Sequence, residues 1–394
     1  VRRKVATVTA TVAENVTGVR VVKSFSREGE NLKRFKQVNR ENQQAYIHAR
    51  AVGGVFWASI EVIGGIGTAM VYWYGGRQVM ANTLTLGEIV AFALLLDRLL
   101  VPIRSMSQIY HAMQSAMAGA ERIFEILDTP PAVADKEGAI EIQRIEGNVK
   151  FDHVNFSYGE TPILKDICFD ARPGETIALV GPTGAGKTTI INLLGRQYDV
   201  KSGSITIDGT DLRDMTLVSL RRQMGIVLQD SFLFPGSVKE NIRYGRLDAT
   251  YEEIEEVAKI VGAHEFIANM ADGYDTKIQE GASNLSAGQK QLVSFARALL
   301  ANPRILILDE ATSSVDAYTE LLIQDALKKL FEGRTSFVIA HRLSTISEAD
   351  RILVIEAGQI MESGTHEELL KHDGLYRKLY DAQFKYDLVG DEAE

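Results

Sequence analysis

Gly181-Pro182-Thr183-Gly184-Ala185-Gly186-Lys187-Thr188-Thr189 decides how this chain is read. It fits G-x-x-x-x-G-K-[ST] at every fixed position, follows the apolar run Thr176–Val180 and precedes the apolar run 190–194, which predicts strand, loop and helix in that order. Three glycines let the backbone turn its N–H groups inward around phosphate oxygens, and the helix beginning near Lys187 adds the positive end of its dipole. Lys187 is placed to reach the β- and γ-phosphates of a nucleotide, Thr188 to hold Mg²⁺ through its hydroxyl, and Thr189 to act as an auxiliary donor. The bland alternative is a glycine-rich turn with an accidental lysine. A complete motif in this strand-to-helix setting disfavours it.

Composition narrows the rest. With 394 residues and 45% hydrophobic content the chain can bury more than one core, so two domains are expected. A net charge of -9 gives no general footprint for nucleic acid. The single cysteine, Cys168, excludes an intrachain disulfide and any cluster of cysteines around a metal. Its place in the alternating stretch 163–170 predicts ordinary core packing. The opening Val-Arg-Arg-Lys runs into a polar, helix-patterned segment with no signal-peptide core. The absent initiator Met is expected of a piece of a longer protein.

Residues 5–47 read as a long helix, a turn near 26–29 and a second helix rich in Lys and Arg. Between positions 51 and 76 the only side chain charged at neutral pH is Glu61, and at 1.5 Å per residue the run is long enough to cross a bilayer. Tyr72-Trp73-Tyr74 would sit at headgroup level, Gly75-Gly76-Arg77 leads into a polar turn, and 86–103 returns. Basic residues (Lys23, Arg27, Lys33, Arg34, Lys36, Arg40 and Arg50) precede the first run, whereas the connecting turn holds only Arg77, so the long flanks are expected on the cytosolic side. A soluble helical hairpin is the competing reading, because Asp97 and Arg98 interrupt the return. At membrane depth Glu61, Asp97 and Arg98 would line a pathway or make an interhelical ion pair. Helix continues over 110–127 and ends at Asp128-Thr129-Pro130-Pro131. A polar connector, 132–145, follows.

From Asn148 the pattern changes to short strands: Val149–Phe156, 163–169 and the strand feeding the phosphate loop. Three later strands end in polar residues: 224–228 at Gln229, 305–308 at Asp309-Glu310, and 336–340 at His341. In an open α/β sheet ligands sit beyond the carboxyl ends of the strands, so these groups are expected to converge on the phosphate loop. Asp309 would act on Mg²⁺ through water and Glu310 would polarise an attacking water. No Asn-Lys-x-Asp guanine signal accompanies them, so a small GTPase fits poorly. Asn284-Leu285-Ser286-Ala287-Gly288-Gln289 opens a further helix. It forms a second anion site in a chain that already has its phosphate loop. A second molecule's nucleotide is the natural ligand.

Taken in order, the phosphate loop, Gln229, the 285–289 stretch, Asp309-Glu310, the 313–316 loop and His341 resemble the ATP-binding cassette family. The resemblance implies two cassettes clasping two ATP molecules head to tail, each ATP held by one chain's phosphate loop and the other chain's Ser286, Ala287, Gly288 and Gln289. It gives Tyr158 the role of an adenine-stacking ring, with core packing as the alternative. It makes Gln229 a metal-side group, His341 a γ-phosphate sensor and Asp316 a residue that crosses the dimer interface. Ala287 departs from the usual glycine; its methyl group keeps the backbone donor but narrows the approach to phosphate.

The first third is similar to the exporter branch. Val21-Val22-Lys23-Ser24-Phe25 resembles an intracellular loop that touches a cassette, and Ala120-Glu121-Arg122-Ile123-Phe124 the end of the last span. Such halves have six spans, of which the last two and the tail of the fourth are matched. The expected fold is therefore an α-helical transmembrane segment, part of an exporter bundle, followed by an α/β P-loop nucleotide-binding domain with a helical subdomain. The expected boundaries are 1–127, a linker 128–146, a cassette 147–386 and an acidic tail 387–394. Function is expected to be ATP-driven export of an amphipathic or lipid-like substrate by an integral protein of the plasma or inner membrane, with a cytosolic cassette. Its partners would be a second half-transporter, identical or not, and membrane lipid, with no nucleic acid. A non-transporting cassette ATPase or regulatory module is the alternative.

Overall fold

The computed structural model describes residues 2–228, 231–309, 317–340 and 343–383. The chain divides into two units, Val1–Pro130 and Pro131–Glu394.

The first unit is four helices: α1 (Arg2–Thr17), α2 (Val19–Ser24), α3 (Glu28–Met80) and α4 (Leu86–Asp128). The 53 residues of α3 form one uninterrupted rod about 80 Å long, where the sequence suggested a cytosolic helix and a separate span. No proline interrupts it. Lys4 pairs with Glu41 at 2.6 Å and Asn31 donates to Asn15 at 2.9 Å, which lays α1 along the start of α3. The turn into α4 is set by a reciprocal cap: the Glu88 amide donates to Thr85 Oγ1, and the Thr85 amide donates to the Glu88 carboxylate at 2.7 Å. Helix α4 runs through Pro102, which lies inside it. The two long helices meet where α3 has no side chain. A Cβ on Gly67 would lie 3.0 Å from Leu96, and one on Gly75 2.9 Å from Ile89, the small-residue contact by which helices approach closely.

Between those helices Met70, Trp73, Tyr74, Phe92 and Leu95 line an apolar hollow of about 760 Å³. Among the described residues no helix is long and apolar enough to cross a membrane. Glu61 and Asp97 each have an interaction partner.

Among its described residues the second unit has twelve strands. They are β1 (Val149–Phe156), β2 (Leu164–Ala171), β3 (Thr176–Val180), β4 (Ser202–Ile207), β5 (Thr210–Asp211), β6 (Met224–Val227), β7 (Gly236–Ser237), β8 (Lys277–Ile278), β9 (Ile305–Asp309), β10 (Thr335–Ile339), β11 (Arg351–Glu356) and β12 (Gln359–Gly364). A six-stranded sheet has the order β12-β11-β3-β10-β9-β6, parallel except for β12. An antiparallel sheet, β2-β1-β4-β5, and a β7-β8 ribbon complete the set. Ten α-helices among the described residues accompany them: α5 (Lys187–Leu194), α6 (Leu217–Arg222), α7 (Val238–Arg243), α8 (Tyr251–Ile260), α9 (His264–Ala268), α10 (Ala287–Leu300), α11 (Ala317–Phe331), α12 (Leu343–Ser347), α13 (His366–Lys371) and α14 (Leu375–Gln383).

The central strands β3 and β10 are buried at every position and β9 at all but its last, as parallel strands covered on both faces are, and most of their residues are apolar. Ile177 and Leu179 of β3 face one core with α5 and the antiparallel sheet. Ala178 and Val180, the alternate residues, face a second core with α8, α10 and α11.

The stretch 132–145 is bound to this second unit. Ile140 donates to the Asp214 carbonyl at 2.8 Å and accepts from Thr216 at 3.0 Å. Arg196, only 1% exposed, donates to the Ala134 and Met215 carbonyls and to Asp199. Cys168 corrects the expectation of core packing: it is exposed, because register shifts in the β1–β2 pairing break the alternation on which that expectation rested.

Candidate nucleotide-binding site

The phosphate loop lies where β3 turns into α5. Gly186 caps α5 at φ 111°, a left-handed conformation that favours glycine, and a Cβ there would press on Leu164 at 2.7 Å. At Gly181 (φ 155°) a Cβ would overlap the Ile355 carbonyl. The tip of the β11–β12 hairpin props the loop from below, with the Gly358 amide donating to the Ala185 carbonyl at 3.1 Å and the Gly358 carbonyl accepting from Lys165 at 2.8 Å.

Lys187 is buried, and its ammonium donates to the Gly181 and Pro182 carbonyls at 2.7 and 3.0 Å. Desolvation pushes its pKa down, and the charge of Asp309 pushes it partly back up. A cation held in this way gains from an added phosphate more than a solvated lysine would. Thr188 is exposed in the first turn of α5, where backbone N–H groups have no helical acceptor. Thr189 is buried. Its hydroxyl lies 3.4 Å from the Tyr158 hydroxyl, which also accepts from Asn192 at 3.3 Å.

The Tyr158 ring is not part of the core. It is 52% exposed and meets Phe156 and Tyr198 edge-on, each at 5.0 Å between centroids. Asn192 and Tyr198, which fix it beside α5, escaped the sequence reading. The one available signal was that Asn192 lies a single turn from Thr188 and Thr189 on the same helix.

Strand order brings the carboxyl ends of the other motif-bearing strands to the same edge. Asp309 ends β9 opposite Ile339 of β10, and β10 in turn lies beside β3. The parallel strands β6, β9 and β10 therefore end at the same carboxyl edge of the sheet as β3, from which the phosphate loop leaves. Gln229, Glu310, Asp316 and His341, expected there, lie outside the described residues.

Ser286, Ala287, Gly288 and Gln289 are placed differently. Ser286 caps α10, accepting from the Gln289 amide at 3.2 Å while its own amide donates to the Gln289 side chain at 3.0 Å. The hydroxyl proton of Ser286 is not consumed by this cap and can still be donated. Ser286 and Ala287 are exposed, and Gly288 is buried. Because α10 packs in the core opposite to that of α5, the stretch and the phosphate loop belong to different faces of the central sheet.

Sequence reasoning also missed Arg297, on α10. Its guanidinium donates to the Phe232 carbonyl at 3.0 Å and to the Asn241 carbonyl and side chain at 2.9 Å each, and stacks near Phe234 and Tyr244. Burial lowers its pKa. The helix opened by Ser286 is thereby tied to the segment just beyond Gln229.

Comparison with known proteins matches both segments of the chain. The family model "ABC transporter" covers residues 164–313, and "ABC transporter transmembrane region" covers 2–103. A solved structure described as a bacterial Atm1-family ABC exporter with ATP bound superposes with a TM-score of 0.81 at 35% identity, over 97% of this chain and 67% of that one. This chain belongs to the ABC transporter family. Its ABC relatives include the uncharacterized ABC transporter ATP-binding protein YknV of Bacillus subtilis, 47% identical over 98% of the chain. Another is an ATP-dependent lipid A-core flippase of Syntrophus aciditrophicus, 44% identical over 98%. The chain spans 64% of the length of each of these two relatives. Within it the ABC transmembrane region precedes the ABC cassette, the order that the sequence motifs implied.

Proposed function

We propose that this chain is part of an ABC half-transporter that binds and hydrolyses ATP to move an amphipathic or lipid-like molecule across a membrane. The observation that carries the reading is the buried Lys187, folded into a glycine loop at the carboxyl edge of the central sheet with Asp309 close enough to influence it. Lys187 and the first-turn amides of α5 would bind the β- and γ-phosphates, and Tyr158 would stack on the adenine. The exposed Thr188 hydroxyl and Asp309, with Gln229, are hard oxygen donors of the kind Mg²⁺ takes, and they fit that ion. When bound, the ion would neutralise charge on the phosphate oxygens. Glu310 would hold and polarise the attacking water, and His341 would contact the γ-phosphate.

Separation of Ser286 from the phosphate loop supports a head-to-tail pair, in which Ser286, Ala287, Gly288 and Gln289 of one cassette close on the nucleotide of the other and Asp316 crosses between them. The partner is a second half-transporter. The helical unit would sit in the plasma or inner membrane, with the cassette in the cytosol. Support comes from the match to the family's transmembrane region and from the exposed apolar flanks of α3 and α4. The flippase relative and the apolar hollow support a lipid-like cargo.

Glu310→Gln tests the reading, because the amide keeps the shape of the carboxylate but cannot polarise water. Turnover of Mg-ATP by the full chain should fall by about 10²–10⁴-fold while ATP affinity is retained and the closed dimer accumulates. Wild-type turnover by this variant, or a monomer at saturating ATP, would overturn the proposal.

A further inference from the structure

We propose that His153, Asp166 and Cys168 form a binding site for a borderline-soft divalent metal ion of the Zn²⁺ type, on the exposed face of the β1–β2 hairpin and separate from the nucleotide site. The three residues come from two neighbouring strands, and the irregular pairing brings them together. Register shifts fall between Phe151 and Val154 and between Val154 and Phe156. His153 and Asp166 both have positive φ, 51° and 55°, which swings both side chains to the side where Cys168 is exposed. His153 Nδ1 lies 2.6 Å from Asp166 Oδ1, and the His153 amide donates to Cys168 Sγ at 3.2 Å. Nitrogen, oxygen and sulfur donors all lie within 4.8 Å of one another.

Zinc ligands sit about 2.0–2.3 Å from the ion, so tetrahedral neighbours are roughly 3.3–3.8 Å apart. That spacing falls between the shortest and the longest separations here, and the three side chains are exposed, so small rotamer changes bring them to it. An imidazole, a carboxylate and a thiolate form a donor set suited to Zn²⁺ or Cu²⁺ and poorly suited to Mg²⁺ or Ca²⁺. Three protein ligands leave a fourth position for water. On binding, the thiol proton and the proton shared by His153 and Asp166 pass to solvent, and no electron is transferred. Lys150 and Asp152 are the nearest other charges and pair with each other at 3.1 Å. The Asp166 contact raises the pKa of His153, so protons compete more strongly with the metal as pH falls. The ordinary reading is a surface histidine–aspartate hydrogen bond that closes a β-bulge, with a cysteine beside it.

The sole cysteine makes the test specific. Titration of the full chain with Co²⁺ under reducing, oxygen-free conditions should give a near-ultraviolet thiolate-to-cobalt charge-transfer band. None of the other six histidines can contribute to that band. It should saturate at one equivalent, vanish on adding Zn²⁺ and be absent in Cys168→Ser. His153→Ala and Asp166→Asn should each weaken Co²⁺ affinity by at least about tenfold. All three substitutions lie on the surface, and ATP affinity, measured alongside, should stay unchanged and so report intact folding. Absence of the band at excess Co²⁺, or a band unaltered by both His153→Ala and Asp166→Asn, would overturn the proposal.

Discussion

The two units solve the same problem in opposite ways. In the cassette Ile177, Phe295 and Phe337 are wholly buried, and every central strand has a covered face on both sides. Along the long helices Ile63, Phe92 and Leu99 are each more than 60% exposed, and Ile60 and Ile89 are the buried hydrophobic residues described there. The cassette carries its own core. The helical unit carries apolar surface whose burial has to come from surroundings such as lipid or further helices. Local sequence can therefore specify the cassette almost completely, while the helical unit is defined by what lies around it.

The largest test separates chemistry from folding. Lys187→Ala should lower ATP turnover by at least about 100-fold, since removing a charged partner of the reacting phosphates forfeits a whole electrostatic contact. Cassette melting should hardly move. A variant with normal affinity and turnover would remove the phosphate loop from the site.

Next comes the core itself. Phe337→Ala deletes a fully buried ring against Phe169 and should cost the cassette about 3–5 kcal/mol, read by denaturant unfolding of the 394-residue chain with probes in each unit. Loss of the helical signal at the same midpoint would break the contrast between self-supporting and dependent units. In the helical unit the sensitive position is a glycine. Gly75→Val should force α3 and α4 apart at Ile89 and destabilise their contact by about 1–3 kcal/mol, without changing ATP affinity. Chemical crosslinking or a spin-label distance across the two helices would read the separation.

The smallest effect is a pH dependence in the cassette. His366 shares a 2.6 Å hydrogen bond with Tyr376, and burial pulls its pKa below the ordinary value of about 6.5, with Glu367 opposing. Its unfolded form takes up the proton first. The stability from a neutral His366 is therefore fully present above the unfolded pKa and is lost as pH falls below it. Cassette Tm should drop on going from neutral to mildly acidic pH, and His366→Gln should flatten that drop by about 1–2 °C. An identical profile in the variant would assign the dependence elsewhere.

Legibility in the sequence followed locality. The phosphate loop was readable because strand, glycines, lysine and helix are contiguous, and the strands leading to Gln229, Glu310 and His341 because each is a short apolar run. Cys168 was misread because periodicity was counted through a bulge between Leu164 and Ile167 that only the pairing partner reveals. Arg196 could not be found as a core residue, since nothing local shows that its guanidinium will be satisfied by carbonyls of Met215 and Ala134. The stretch 132–145 looked like a polar connector because its attachment to the cassette runs through backbone groups of Ile140 and Gln143 and through Asp135 and Lys136, whose partners Leu217 and Asp214 lie about 80 residues further along the chain.

The hairpin tip at Gly358 sets an order of events during synthesis. The loop at 181–189 is among the earlier parts of the cassette to be translated, yet its underside rests on Ile355 and Gly358, roughly 170 residues later, a wait of about 10–35 s at ordinary elongation rates. Until then the nascent loop lacks its floor. A nascent chain halted before position 351 should hold nucleotide poorly even with every glycine and Lys187 already translated, so the ability to take ATP would itself report that the last β-hairpin has docked.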